Sequence, residues 1–527
     1  MAGPDAATRR PGARPWPGLV AAVAALGAVL GPLGAVIWRA EAPAALDPGD
    51  WAALRFTLTQ AALSAILSAA LAVPVARALS RRRFAGRRLL VTLMGAPFIL
   101  PVIVAVFGLL AIFGRGGLVN SALAPLGLGP VSIYGLEGIV LAHVFFNLPL
   151  VTRLLLQGWA EVPGEQFRLA AALGFSDADT RRHIERAILR RVLPGAMALI
   201  FALAMTSFAV ALTLGGGPAA TTIELAIYQA FRFEADLAGA ARLALVQFAL
   251  SGAVAIAALA LGLPRPGKGG IGRAPARWDG HGHAARLGDW AAIGAAAALL
   301  VLPMAAVAWR GASHLAALPG SVAEAALRSL VVAGAATVLT LALALPMALA
   351  ATRLGPGAAR GAVVMAGTAS IALSPIVLGA GLFIMIRPLA SPAALALPVT
   401  AGVNALLALP FALRALAPAA IEAEARHGRL ADALGVTGAA RLRLITLPLL
   451  ARPLRFAAAL AAALSMGDLG VIALFADSSN ATLPLALEQL MAGYRMDQAS
   501  GAALLLLLLS LGLFWVIDRG GGRDADA

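Results

Sequence analysis

The sequence predicts an all-α polytopic membrane protein, with about twelve transmembrane helices arranged as two homologous six-helix halves. Three observations predict it. Of the 527 residues, 60% are hydrophobic and only 13% are charged, whereas a soluble chain carries about twice that share of charge. Apolar runs of about 20 residues, the length that crosses a bilayer as a helix, recur from end to end. The heptapeptide RLAAALG at Arg168–Gly174 returns as RLADALG at Arg429–Gly435, each copy inside an Arg-rich polar loop.

In chain order the apolar runs fall at 18–38, 57–79, 89–113, 135–156, 195–214 and 240–263. A second set follows at 290–309, 329–350, 361–386, 393–415, 456–476 and 499–517. None shows the ten-residue alternation of a membrane strand, and their Ala, Leu and Gly content suits helices in close approach. The first run is long and lacks a clear small-residue cleavage site, so it reads as a span rather than a signal peptide. Between the sets, Pro264–Asp289 is rich in Gly, Pro and Arg and reads as a surface linker. It divides a first six-helix domain, 1–263, from a second, 290–527.

Orientation follows the bias of basic residues. With both termini cytoplasmic, about 32 of the 41 Lys and Arg side chains fall inside, among them Arg9, Arg10, Arg14, Arg81–Arg83, Arg87 and Arg88. The net charge of +15 is then explained by loops facing anionic lipid, and a nucleic-acid partner is not expected. The absence of cysteine excludes disulfides and thiolate chemistry. Each half has an even number of spans, so both enter from one side, related by a two-fold axis along the membrane normal with a path at their interface.

Aligning Pro149 with Pro410 needs no gap through Gly174 and Gly435. The pairs Arg153/Arg414, Glu161/Glu422, Arg168/Arg429, Leu169/Leu430, Ala170/Ala431, Leu173/Leu434 and Gly174/Gly435 are identical. Duplication explains this. Each loop reads as a short helix, a Gly turn and a second helix. Leu169, Ala172 and Leu173 share one side at helical spacing, and Gly174 and Gly435 suit the left-handed end of a helix. The following Arg181, Arg182, Arg186, Arg441 and Arg443 can anchor the loops at lipid or meet acidic groups on a partner.

The two loops resemble the "EAA" motif of ABC-transporter permeases, Glu-Ala-Ala with a Gly shortly after and then Ile-x-Leu-Pro. The second copy keeps the tail as Ile445, Leu447 and Pro448. The first keeps Ile184 but has Arg186 and Ala187 where Leu and Pro are usual. The acidic start is displaced in both, with Arg168 and Arg429 near the place of Glu. The resemblance implies a multi-pass bacterial inner-membrane importer whose coupling loops dock on two copies of a separate ATPase subunit. ATP and magnesium would sit on that partner, with no cofactor on this chain, and a periplasmic substrate-binding protein would deliver cargo. The docking residues it implies are Glu161, Arg168, Leu169, Ala170, Gly174, Glu422, Arg429, Leu430, Ala431, Gly435 and Pro448. The stretches Tyr134–Leu150, Ser207–Ala230 and Gly467–Phe475 are most similar to thiamine/thiamine-pyrophosphate importer permeases. An iron(III) importer permease is the alternative within the class, and a twelve-span secondary transporter the alternative outside it.

Other motifs add little chemistry. GLPRPGKG at Gly262–Gly269 approaches a phosphate-binding loop, but Gly269 replaces the magnesium-binding hydroxyl and two prolines break it. His281 and His283 lack further ligands nearby, and no catalytic constellation stands out, so the chain is not expected to be an enzyme. Polar groups at membrane depth are functional candidates: Asp468, Ser207, His143, Asn147, Asn404 and Gln60. The outward segments Gly215–Leu237 and Asp477–Asp497 align through Thr222/Thr482 and Gln229/Gln489. They are expected to form short helices that gate the path or receive the binding protein, with Glu224 and Glu488 as docking residues.

Overall fold

The computed structural model describes residues 15–40, 46–95, 97, 99–261, 279, 282–355, 357–477 and 479–519. The Gly262–Gly269 segment, His281 and the N-terminal arginines lie outside them. Among the described residues, eleven helices are long and apolar enough to cross a membrane, or twelve if one bent pair is a single span. The fold is all-α and polytopic.

The first set opens with α1 (Trp16–Arg39) and α2 (Pro48–Arg81), the latter started by a capping box between Asp47 and Asp50. The run expected at 89–113 is broken into α3 (Arg87–Leu93) and α4 (Val102–Phe113), because Gly95, Pro97 and Pro101 intervene. After α5 (Leu118–Leu123) come α6 (Leu136–Ala160), α7 (Gly164–Ala172) and α8 (Asp177–Thr180). The run near 195–214 is also broken, into α9 (Arg186–Met205) and α10 (Phe208–Leu214). A short α11 (Ile223–Gln229) leads to α12 (Leu237–Leu261).

The second set runs in the same order: α13 (His283–Ala312), α14 (Gly320–Arg353), α15 (Ala358–Thr368) and α16 (Pro375–Ile386). The α15–α16 pair bends by 91°. Then follow α17 (Ala396–Ala433), α18 (Gly438–Arg441), α19 (Leu447–Met466), α20 (Gly470–Phe475), α21 (Leu483–Ala492) and α22 (Met496–Arg519).

The first helix of each set crosses over to the other. α1 packs on α14, α15 and α16, while α13 packs on α2 and α4. The sequence of α1 prepares this with one buried stripe, Gly18, Ala21, Ala25, Val29, Pro32 and Val36, at helical spacing. α13 does the same with Ile293, Ala296, Leu300, Pro303, Val307 and Gly311. Two of the close approaches are twins. A Cβ on Gly108 of α4 would strike the Pro303 carbonyl oxygen, and one on Gly381 of α16 would strike that of Pro32. Small residues therefore set the helix separation here, as expected where lipid removes any hydrophobic drive. Trp16, Trp38, Trp309 and Trp515 stand exposed near helix ends, positions suited to the headgroup region.

Candidate functional site

The repeated loops fold to one geometry. α7 ends with Leu173 N–H donating to Leu169 C=O and Phe175 N–H to Ala170 C=O, and Gly174 takes φ +68°. α17 ends identically, through Leu434 to Leu430 and Val436 to Ala431, with Gly435 at φ +66°. These are Schellman ends, which require a residue free of the left-handed penalty. The turn fixes what each loop presents. Ala170 and Ala431 face inward, 3% and 1% exposed, while Leu169, Leu173, Leu430 and Leu434 stand 60–68% exposed. Among the described residues, both loops therefore offer a largely exposed leucine pair. Arg168 pairs with Glu165 at 2.8 Å on the same surface. Glu161 closes α6 and holds Arg191 at 2.8 Å, and Glu422 pairs with Arg426. Arg429 is exposed, and Pro448 sits in the first turn of α19.

One difference separates the copies. The first has a break between α6 and α7, whereas α17 runs unbroken from the bundle into the loop. Pro163 explains it: it lacks an N–H and bars the preceding residue from the helical region, and Glu424 stands at the matching position.

A π-helical turn follows each loop at matching positions, Arg181–Glu185 and Leu442–Thr446. Such turns insert a residue into a helix and recur at functional places. Ionic contacts brace both. In the first half, buried Glu185 meets Arg77 at 3.0 Å and Arg81 at 3.8 Å, both from the end of α2. Arg81 also meets Asp279 of the linker at 2.6 Å. In the second half the charge is exchanged: the loop's Arg441 meets Glu424 at 2.9 Å and Asp432 at 2.6 Å. The first brace was not legible in sequence, because Glu185 and the arginines of α2 lie on elements joined only by folding. Arg77 and Arg81, four apart at the end of a span, were the available signal.

The polar candidates within the bundle separate into two groups. His143, Asn147 and Ser207 line one cavity of about 250 Å³, closed on its other side by Pro101 and by Ala463, Leu464 and Gly467 of the second set. Gly467 lies against Pro101, where a Cβ would be 3.0 Å from its Cα. His143 Nδ1 contacts Ser64 Oγ at 3.0 Å, and its Nε2 has no hydrogen-bond partner among the described residues. Gln60 is elsewhere. Its amide donates to Ala204 C=O at 2.9 Å, and the Gln247 amide donates to Met205 C=O at 3.3 Å. These two side chains satisfy carbonyls freed by the α9–α10 break. Asn404 donates to Ser465 Oγ at 3.0 Å. The Asp468 carboxylate faces the N–H groups that open α20, from Gly470 to Ile472, and the Asn404 amide. Its Oδ2 is buried without a hydrogen-bond partner among the described residues.

At the end of the bundle far from the loops, α11 and α21 are the short helices expected there. Glu224 of α11 is wholly buried and offers no surface to a docking protein. Its carboxyl faces Ser374 and Gln247, and burial raises its pKa to about 8. Glu488 of α21 is half-buried.

No family model matches the chain. Curated relatives do. The thiamine transport system permease protein of Brucella abortus is 40% identical over 496 residues, 92% of this chain and 91% of the relative. The proteins of the same description from Salmonella typhimurium and Escherichia coli are each 41% identical, over 501 and 486 residues, with 90% or more of both chains covered.

Proposed function

The chain belongs to the thiamine transport permease family of ABC importers, and on that premise we propose how it carries cargo and force. It is the membrane-spanning permease subunit of a thiamine importer. The likeness across more than nine-tenths of the chain carries the substrate class, and it favours thiamine over the iron(III) alternative.

The paired leucine-bearing Schellman ends carry the mechanism. Two copies of an ATPase subunit would each take one loop, receiving Leu169 and Leu173 on one side and Leu430 and Leu434 on the other. The basic-residue bias supports a cytoplasmic position for both loops and both termini in the inner membrane. Residues 1–263 and 290–527 would act as two like halves about an interface path, with 264–289 as the cytoplasmic linker. ATP and magnesium would be held by the partner. GLPRPGKG, without the magnesium-binding hydroxyl, supports the chain having no ATPase site of its own.

In this reading, ATP-driven approach of the ATPase subunits moves the two loops, and the ionic brace at Glu185 passes that motion to α2. The cavity lined by His143, Asn147 and Ser207 lies where the sets meet and is the segment of the path that opens. Nucleotide shifts this equilibrium only by differential affinity for the two states. Asn404 and Asp468 position the α19–α20 break beside the cavity, and Gln60 does so for α9–α10. A periplasmic binding protein would supply cargo at the far end.

The test is reconstitution. Chain, ATPase subunit and binding protein in proteoliposomes should accumulate thiamine only with ATP inside. Accumulation by the chain alone would overturn the proposal in favour of a secondary transporter.

A further inference from the structure

The cavity where the two sets meet is polar on one wall only. His143 and Asn147 stand one turn apart on α6, and Ser207 sits at the α9–α10 break. The second set contributes Ala463, Leu464 and Gly467, none with a polar side chain. The repeat makes this lopsidedness informative. Position for position, Asn404 answers His143, Ala408 answers Asn147 and Asp468 answers Ser207. None of those three lines the cavity. Ala408 has no polar side chain, and the Asn404 amide donates to Ser465 Oγ at 3.0 Å. A duplicated fold with its two-fold intact would show two like walls.

Asn147 is the group on that wall which the bundle leaves unanswered. It is 5% exposed, and its amide makes no hydrogen bond among the described residues. His143 differs, since Ser64 engages its Nδ1. A buried amide without partners is costly, and more so at membrane depth. Asn147 borders the cavity, so the group that satisfies it comes from there. An amide holds donor and acceptor side by side, the pattern that pairs with an amino group next to a ring nitrogen.

Two further features select the guest. The cavity of about 250 Å³ falls below the ~300 Å³ at which pockets for drug-sized molecules begin, so it suits a single ring. None of its described lining residues is Asp, Glu, Lys or Arg, so it offers a charged ring no counter-ion. Phe146, edge-on to Phe145 at 5.1 Å, adds an apolar aromatic surface. We propose that Asn147 reads the aminopyrimidine ring, the neutral end of thiamine, through its amino group and the adjacent ring nitrogen. The inference rests on the thiamine-importer reading and adds which end of the cargo the permease itself recognises.

The test uses the assembled importer in proteoliposomes, with binding protein saturated by each of three cargoes in turn. These are thiamine, its 4-deamino analogue, and an analogue in which an uncharged thiazole replaces the thiazolium. One binding protein serves every permease variant, so a change in the ratio of two uptake rates belongs to the permease. Asn147→Ala installs the residue that the second half carries at this place. It should lower thiamine uptake at least fivefold and leave the deamino analogue within twofold, because a site built on a hydrogen bond discriminates by it. The ratio of thiamine to the uncharged analogue should hold within twofold. Asn147→Gln, which moves the amide by one carbon, should lower thiamine uptake at least twofold and gives the reading if the Ala variant does not fold. Equal losses for all three cargoes, or failure of both variants to fold, overturn the proposal by making Asn147 structural. A shift in the ratio of thiamine to the uncharged analogue overturns it by placing the thiazolium in the cavity. An unaltered importer that takes up no thiamine overturns the substrate reading and the site together, whereas intact uptake with indifferent variants overturns the site alone.

Discussion

Truncating the exposed leucines of one loop should weaken ATPase-subunit binding without weakening the permease. Leu169 and Leu173 are 61% and 64% exposed in the free chain. Fully burying a leucine side chain is worth about 2 kcal/mol. The share still open to water therefore gives a partner about 1.2 kcal/mol per leucine and about 2.5 kcal/mol for the pair. Since each 1.4 kcal/mol is a factor of ten, Leu169→Ala with Leu173→Ala should raise the dissociation constant of the ATPase subunit by about 50- to 100-fold. The same pair at Leu430 and Leu434, 60% and 68% exposed, should act equally and independently. The assay is titration of purified ATPase subunit onto detergent-solubilised permease, with Tm of the permease alone as control. Unchanged affinity would refute the reasoning, and so would a Tm fall large enough to explain the loss, because these side chains then do their work inside the chain.

Other expectations follow from the same geometry. Gly435→Ala forces a side chain onto φ +66° and should cost about 1–2 kcal/mol of stability, read as a lower Tm. Gly108→Leu and Gly381→Leu drive a side chain into a proline carbonyl on the crossing helix; each should cut the yield of folded protein in detergent, while Gly512→Leu, in open space, should not. Glu224 has a carboxyl raised to about 8 by burial, so the folded state binds its proton more tightly than the unfolded state does. Stability should therefore fall as pH rises from about 4.5 towards 8, and Glu224→Gln should flatten that slope and raise Tm more at pH 8 than at pH 5.

Much of this architecture was open to sequence reasoning because it rests on local patterns. Apolar length located the spans, and the RLAAALG repeat located both loops together with the glycine conformation that ends them. The breaks within expected spans were less legible. Pro101 and Pro375 marked two of them, but Thr206–Ser207 and Gly467–Leu469 carry no proline, and their freed backbone groups are met by Gln60 and Gln247 from other helices and by the Asp468 carboxylate within the break. For the same reason Gln60, a natural candidate for the path, turned out to serve a carbonyl away from the cavity. Glu224 misled for a different reason: its segment reads as polar and exposed, and only packing of α11 on α12 and α16 removes it from water. The braces at Glu185 and Arg441 compensate one another in charge between halves, a relation that alignment of identical residues cannot register.

The crossing of α1 and α13 bears on how this importer came to be one polypeptide. Each half exports a helix whose greasy stripe finds part of its complement on the opposite half, so assembly is a reciprocal handshake rather than two finished bodies glued together. Fragments ending near residue 263 and starting near 264, made separately in one cell, would still seek each other out in the bilayer. On that view the covalent bridge is dispensable for cohesion, and its service is to guarantee a one-to-one ratio and forbid pairing of like with like.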